Sequence, residues 1–306
     1  MALPFKLVYS QDYDLNLGRH VFPAVKYQMI YERLLREGIA EPADFIAPEP
    51  ASDDDMLRVH TRHWVTALRQ GTLSYKEIIQ LEIPYSPEMV DAVWLSTGGT
   101  ILAGRRALGD GFCYNDGGGF HHAFPGHGEG FCAINDVAVA IRRLQVDRVI
   151  KRAMVVDCDV HHGNGTAAIF LHDESVMTFS IHQLANYPDE KPPSGIDIDL
   201  HDNCSDEEYM AALTAKLPPA IEAFQPELIY YLAGADPYYQ DQLGGLALTI
   251  DGLQWRDRFV FDTARTKGVP VAVVLAGGYA INVKDTVTIH SNTVVAAKQI
   301  FGGSAN

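Results

Sequence analysis

Apolar residues gather in five short runs, "FKLVYS" (5–10), "AMVVDCDV" (153–160), "VMTFSIH" (176–182), "LIYYLAGAD" (228–236) and "PVAVVLAGGY" (270–279). Within each run the apolar side chains occupy both parities. Such a run suits a strand covered on both faces, as in a parallel sheet with helices on either side. A buried helix segment is the alternative for any run taken alone. The intervening segments decide between them. "YQMIYERLLREG" (27–38) has helical periodicity and stops at Gly38, and Ser205 with Glu208 forms a capping-box pattern before "YMAALTAKL". Asp251 stands as a cap for "GLQWRDRFVFDTARTKG", which stops at Gly268 just before the last run. Strand-like and helix-like segments therefore alternate. The expected fold is α/β, with a central, mostly parallel sheet whose ligands lie outside the carboxyl ends of its strands.

No repeat, low-complexity tract or long linker divides the 306 residues, so one domain over 1–306 is expected. The most loop-like stretch, 41–55, carries Pro42, Pro48, Pro50 and three consecutive aspartates. It reads as a surface loop, because too little chain precedes it for a separate domain.

Composition narrows the possible partners. Apolar residues make up 47% and charged residues 21%, as in a soluble globular protein. The net charge of −15 argues against nucleic acid and anionic membranes as partners, since both attract clustered Lys and Arg. No stretch reaches the roughly 18 apolar residues of a membrane span, and the amino terminus lacks a basic segment followed by an apolar one. A cytoplasmic location is expected. Cys113, Cys132, Cys158 and Cys204 lie far apart without a Cys-x-x-Cys pair, and read as reduced, packed thiols.

Three of the apolar runs end in ionisable chemistry. Asp157, Asp159 and His161 close the run from 153, Asp236 closes the run from 228, and Tyr279 closes the last. Alternation along a strand places Asp157, Asp159 and His161 on one side. Asp159 and His161 are candidate ligands of one cation, with Asp236 as a third from another strand. Such a set leaves positions open for water and substrate, as a catalytic metal site requires. Taken alone, "DCDVHH" is equally the pattern of a half-exposed strand. "GGGFHHAFPGHGEGFCAIND" (117–136) adds adjacent His121 and His122 in a glycine-rich setting. Two imidazoles near an activated water would supply a base and an acid, although adjacent loop histidines are often only solvated. "LAGGYA" (275–280) presents Tyr279, either as a donor to a developing oxyanion or as a packed rim aromatic.

Together, "GGGFHHA", "DCDVHHGNGT", "LAGAD" and "LAGGY" resemble, in type and order, the zinc-dependent histone deacetylase family, and the likeness spans nearly the whole chain. The resemblance implies an arginase/deacetylase-type fold with a mostly parallel sheet of about eight strands flanked by helices. It implies Zn2+ held by Asp159, His161 and Asp236, with Fe2+ or Co2+ as other ions suited to the same donors. His121 and His122 would be the acid/base pair, Asp157 and Asn164 would stand behind them, and Tyr279 would polarise the scissile carbonyl. A structural K+ would take side-chain oxygens of Asp157, Asp159 and Ser180 and carbonyls of His161 and Ile181. Gly130, Phe131 and Tyr187 would line an acyl-lysine tunnel. His162 receives no role.

The implied reaction is hydrolysis of an acyl group, acetyl or longer, from a lysine side chain or related amine. Acetylpolyamines and other small acyl amides are the alternative substrates. "LVYSQDYD", "HVFPAVKY", "SIHQ" and "DQLGGLALT" look most like class IV histone deacetylases and their bacterial relatives. Pro237, directly after Asp236, departs from the family pattern and leaves the local loop shape open. Two rivals are an arginase-like ureohydrolase, whose richer aspartate clusters are missing, and a silent acyl-lysine binding protein.

Overall fold

The computed structural model describes residues 2–302. Each of the five apolar runs contains a strand, and three further strands join them: β1 (Lys6–Val8), β2 (Phe45–Ile46), β3 (Phe112–Asn115), β4 (Ala153–Asp157), β5 (Val176–Gln183), β6 (Ile196–Leu200), β7 (Leu228–Leu232) and β8 (Val271–Val274). They form one eight-stranded sheet in the order β2-β1-β3-β8-β7-β4-β5-β6. Every pairing is parallel.

Double coverage of the central strands is visible in their side chains. Met154 and Val156 of β4, Ile229 and Tyr231 of β7, and Val271 and Val273 of β8 belong to one apolar core. Their neighbours Ala153, Val155, Leu228, Tyr230, Leu232, Ala272 and Val274 belong to the other. Alternate residues thus enter opposite layers, which is why these runs show no polar parity. The helix Pro87–Asp110 illustrates how the covering layer is delimited. The Ser86 side chain accepts from the Met89 amide, Pro87 opens the first turn, and Gly111 closes the helix at φ +81°.

Three sequence expectations change. Segment 41–55 is not simply a loop: it holds β2 and a helical turn, Asp53–Met56, capped by Ser52. The helix Ile250–Thr266 is capped by the Thr249 side chain, not by Asp251, which lies in its first turn. β4 ends at Asp157, so Asp159 and His161 stand in the loop beyond it and not on alternating strand positions. The Ser205–Glu208 capping box is present as expected.

One buried cation ties the fold to the loops above it. Arg256, fully buried, donates from Nη1 to the Gly234 carbonyl (2.7 Å) and the Cys158 carbonyl (3.2 Å). Its charge is balanced by Asp257 (2.9 Å), whose carboxylate also accepts from Tyr231 and Thr293. Those two carbonyls lie just before Asp159 and Asp236. No helix among the described residues is long and apolar enough to cross a membrane. All four cysteines are free and buried.

Candidate active site

β4, β7 and β8 are neighbours, so the loops beyond their carboxyl ends share one rim. There Asp159, His161 and Asp236 converge, with ligand atoms all within 4.8 Å of one another. His161 Nδ1 lies 2.9 Å from Asp159 Oδ1 and 3.4 Å from Asp236 Oδ2. The other carboxylate oxygens are anchored: Asp159 Oδ2 accepts from the Gly277 amide (2.7 Å) and Asp236 Oδ1 from the Val160 amide (2.9 Å). Asp236 Oδ2 is buried with no hydrogen-bond partner. A buried carboxylate oxygen without a partner costs free energy unless a cation or proton sits beside it. Pro237 does not disturb this arrangement, and its carbonyl accepts from the Leu248 amide.

The residues present therefore fit a divalent ion, and the mixed N/O donors suit zinc and its neighbours. Without such an ion, a proton supplies the positive charge. Burial opposes an imidazolium at His161, yet its hydrogen bond to Asp159 and the negative charge of Asp159 and Asp236 outweigh it and raise its pKa to about 10. Burial, reinforced by Asp159, pushes Asp236 up to about 7.

Gly277 closes the floor of this cluster. A Cβ there would lie 1.9 Å from Asp236 Oδ2 and 2.6 Å from Asp159 Oδ2. Gly277→Ala is expected to weaken divalent-ion binding by roughly 10- to 100-fold, since displaced ligands lose affinity on that scale. Competition with a chromophoric chelator reads the change, and unchanged affinity would show that the carboxylates tolerate the methyl group.

Behind the trio, His121 and His122 stand with ring centroids 4.0 Å apart in opposite environments. His121 donates from Nδ1 to Asp157 Oδ2 (2.7 Å), and its Nε2 lies 3.8 Å from Asp159 Oδ1. Burial opposes its charge, but the two aspartates prevail and raise its pKa to about 9. For His122, burial and then the charges of His121 and His161 hold the pKa well below the usual range. Its Nδ1 donates to Asn164 Oδ1 (2.7 Å), while Asn164 Nδ2 donates to Glu129 Oε1 (2.6 Å). A carboxylate only accepts, so Glu129 orients the amide, and the amide fixes the proton of His122 on Nδ1.

A cavity of about 210 Å³ leads to this centre, lined among others by His122, Gly130, Phe131, His161, Tyr187 and Tyr279. Phe131 and Tyr279 are 5.9 Å apart between ring centroids, and Tyr187 stands edge-on to His122 at 4.9 Å. Gly130 is required here: its φ is +52°, and a Cβ would approach His122 Cδ2 to 2.6 Å. Phe131 itself adopts φ +68°, with its amide donating to the Leu81 carbonyl. A larger groove of about 690 Å³ passes Phe170, His172, Met177, Pro193 and Phe224, but none of the expected site residues lines it. Chemistry, not size, therefore locates the site.

Tyr279 is held by its backbone, its amide donating to Asp241 Oδ2 (2.6 Å) and its carbonyl accepting from Gln242 (2.8 Å). Burial, then the charges of Asp159 and Asp236, keep its phenol protonated well above the usual range. Asp157 and Ser180 are register partners on β4 and β5, both buried, and Ile181 follows on β5.

Several residues here had no role in the sequence reading. Glu129 accepts from both Asn164 and Tyr187. Phe22 extends the aromatic wall, 6.1 Å from Tyr279. Lys26 is fully buried and donates to the Ala276 carbonyl (2.8 Å), next to Gly277. Burial lowers its pKa to about 8 against the pull of Asp236 and Asp159. A lysine in an otherwise apolar helix face was the available signal for Lys26.

Two imidazoles of opposite protonation beside a buried trio suited to one divalent ion are the equipment of a metal-assisted hydrolase. Residues 20–294 match the histone deacetylase domain model. The chain is 32% identical to histone deacetylase 2 of Arabidopsis thaliana, over 89% of this chain and 74% of that protein. It is also 32% identical to a probable deacetylase of Methanothermobacter thermautotrophicus, over 89% of this chain and 85% of the relative. The crystal structure of the HDA15 HD domain superposes with a TM-score of 0.81 at 23% identity, covering 99% of this chain and 89% of that one. The chain belongs to the histone deacetylase family. That membership supports a hydrolytic deacetylase activity, on the fold the alternating pattern implied.

Proposed function

We propose that the protein is a zinc-dependent deacylase that removes an acyl group from a lysine side chain or related amine, folded as one catalytic domain and nearest in kind to class IV enzymes. The observation that carries the reading is the convergence of Asp159, His161 and Asp236, with its unpartnered carboxylate oxygen, at the base of an aromatic cavity. An ion bound there would polarise the scissile carbonyl and make an adjacent water more acidic. His122, neutral and with Nδ1 engaged, offers Nε2 to take a proton from the attacking water. His121, held as an imidazolium by Asp157 and Asp159, offers positive charge and a proton on the side of the departing amine. The Tyr279 phenol donates to the carbonyl oxygen as negative charge develops there. Phe131 and Tyr187 embrace the aliphatic stem and keep water out. Asp157, Asp159 and Ser180, with the carbonyls of His161 and Ile181, would hold a K+ that stiffens the loop after β4.

An acylpolyamine is the second reading, favoured by Glu82 on the cavity wall and Glu129 beside Tyr187. Two carboxylates near the mouth suit a substrate that carries positive charge beyond the acylated nitrogen. The test is a turnover screen of the zinc-loaded protein on acetyl-lysine, longer acyl-lysine and acetylpolyamine substrates. Release of carboxylate from at least one series is expected, and inertness toward all of them would restore the silent binding protein.

Asn164 makes this site distinctive, because a neutral amide stands behind His122 and the nearest carboxylate, Glu129, is one hydrogen bond further out. In Asn164→Asp a negative charge moves next to His122 and favours its imidazolium. The limb of the pH–rate profile governed by His122 is expected to move to higher pH, with activity retained. An unchanged profile would remove His122 from the rate-determining protonation.

A further inference from the structure

A second group of ligand-type side chains lies at the edge of the sheet, outside the site described above. His162, His182 and Asp197 bring donor atoms within 4.8 Å of one another. They come from three segments: the loop after β4, the end of β5, and the edge strand β6. The register accounts for the meeting. Ser180 pairs with Asp197 and His182 with Asp199, so these four side chains share one face. His162 then packs on the same face with its ring 4.7 Å from that of His182.

The polar accounting at this spot does not close with protein partners alone. His162 and His182 are both buried, yet His162 Nδ1 and His182 Nε2 have no hydrogen-bond partner. Asp199 Oδ1 lies 3.2 Å from His182 Nε2, but the pair lacks hydrogen-bond geometry. The other nitrogen of each ring is engaged, His182 Nδ1 with Ser180 Oγ (3.0 Å) and His162 Nε2 with Ser194 Oγ (3.3 Å). A histidine whose Nδ1–H is spent on a hydroxyl presents Nε2 as a lone-pair donor, which is how second partners prepare imidazoles for metals. Asp197 Oδ1 stands 3.2 Å from His162 Nε2, so an ion bound between them would replace the contacts that this nitrogen makes with Asp197 and Ser194. The Asp197 side chain is 29% exposed, so the group opens to solvent. The trio thus combines two buried imidazoles with one reachable carboxylate, and a buried unpartnered nitrogen such as His182 Nε2 is costly unless something sits beside it.

We propose that His162, His182 and Asp197 form a second site for a divalent transition-metal ion such as Zn2+ or Co2+, separate from the trio of Asp159, His161 and Asp236. Two imidazoles and one carboxylate leave at least one position for water. An ion there ties the loop that carries His161 to the outer strand β6, adding to the His162–Asp197 and His162–His182 contacts that already join these segments. The proposal does not depend on the deacylase reading.

Equilibrium dialysis of the whole chain against buffered Co2+, with bound metal counted per chain, tests it. Two ions per chain are expected. Asp197→Asn, an isosteric change on a solvent-facing side chain, is expected to bind one, as is His182→Gln. Asp236→Asn is also expected to bind one, and the Asp197→Asn/Asp236→Asn double variant none. His201→Ala controls for a separate group of His201, Cys204 and Glu208, and is expected to leave the count at two. The proposal fails if the wild-type chain binds a single ion that Asp197→Asn retains, or if the second ion is lost in His201→Ala instead. Loss of the Asp236-dependent ion alone would contradict the deacylase reading and leave the edge site standing.

Discussion

Replacing Tyr279 by phenylalanine is expected to lower turnover by roughly a hundredfold to a thousandfold, with the divalent ion retained and KM little changed. Backbone contacts to Asp241 and Gln242 fix the position of this residue, so the ring stays in place when the hydroxyl is removed. The phenol resists ionisation because it is buried beside Asp159 and Asp236, and it therefore holds a proton to donate at every working pH. That donation matters most when charge builds on the carbonyl oxygen, so the loss falls on kcat. Steady-state kinetics with a metal count on the same sample checks this. Turnover within a few fold of wild type would assign Tyr279 to packing.

Removing the ion is expected to abolish hydrolysis while leaving the chain folded. The stripped site has a substitute charge at hand, the His161 proton, bonded to Asp159 and facing the charge of Asp236. Metal binding must expel that proton, because only a neutral imidazole is a ligand. His161 keeps it up to pH about 10, so apparent affinity should fall roughly tenfold for each unit of pH below that. Below neutrality the slope steepens, since Asp236, pushed up to about 7, then has a proton to lose as well. Chelator competition across a pH series measures the slope. A flat dependence would mean that His161 is not a ligand.

What was legible in the sequence, and what was not, divides along physical lines. Strands β4, β7 and β8 announced themselves because burial on both faces leaves no polar parity. β3 was hidden: it has four residues and begins one residue after Gly111, the stop of a long helix. β6, "IDIDL", alternates because it is an edge strand with Asp197 and Asp199 on its polar face, so it falls outside the runs that are apolar on both parities. The convergence of Asp159, His161, Asp236, His121, His122 and Tyr279 was legible because each sits directly after an apolar run or within a glycine-rich turn. Glu129 was not, since its place behind Asn164 depends on two loops meeting in space. Arg256 and Lys26 were hidden for the opposite reason, as charged residues within helices ordinarily face water.

The fork of Arg256 carries a consequence for biosynthesis. By gripping the carbonyls of Cys158 and Gly234, it holds the loops bearing Asp159 and Asp236 in place from the helix Ile250–Thr266. The chain's own groups thus hold the proposed ligands together. The chain is therefore expected to fold before it takes up metal, the reverse of small zinc modules in which the ion is the scaffold. A stripped chain is then expected to stay folded, a finished recipient for the divalent ion proposed above.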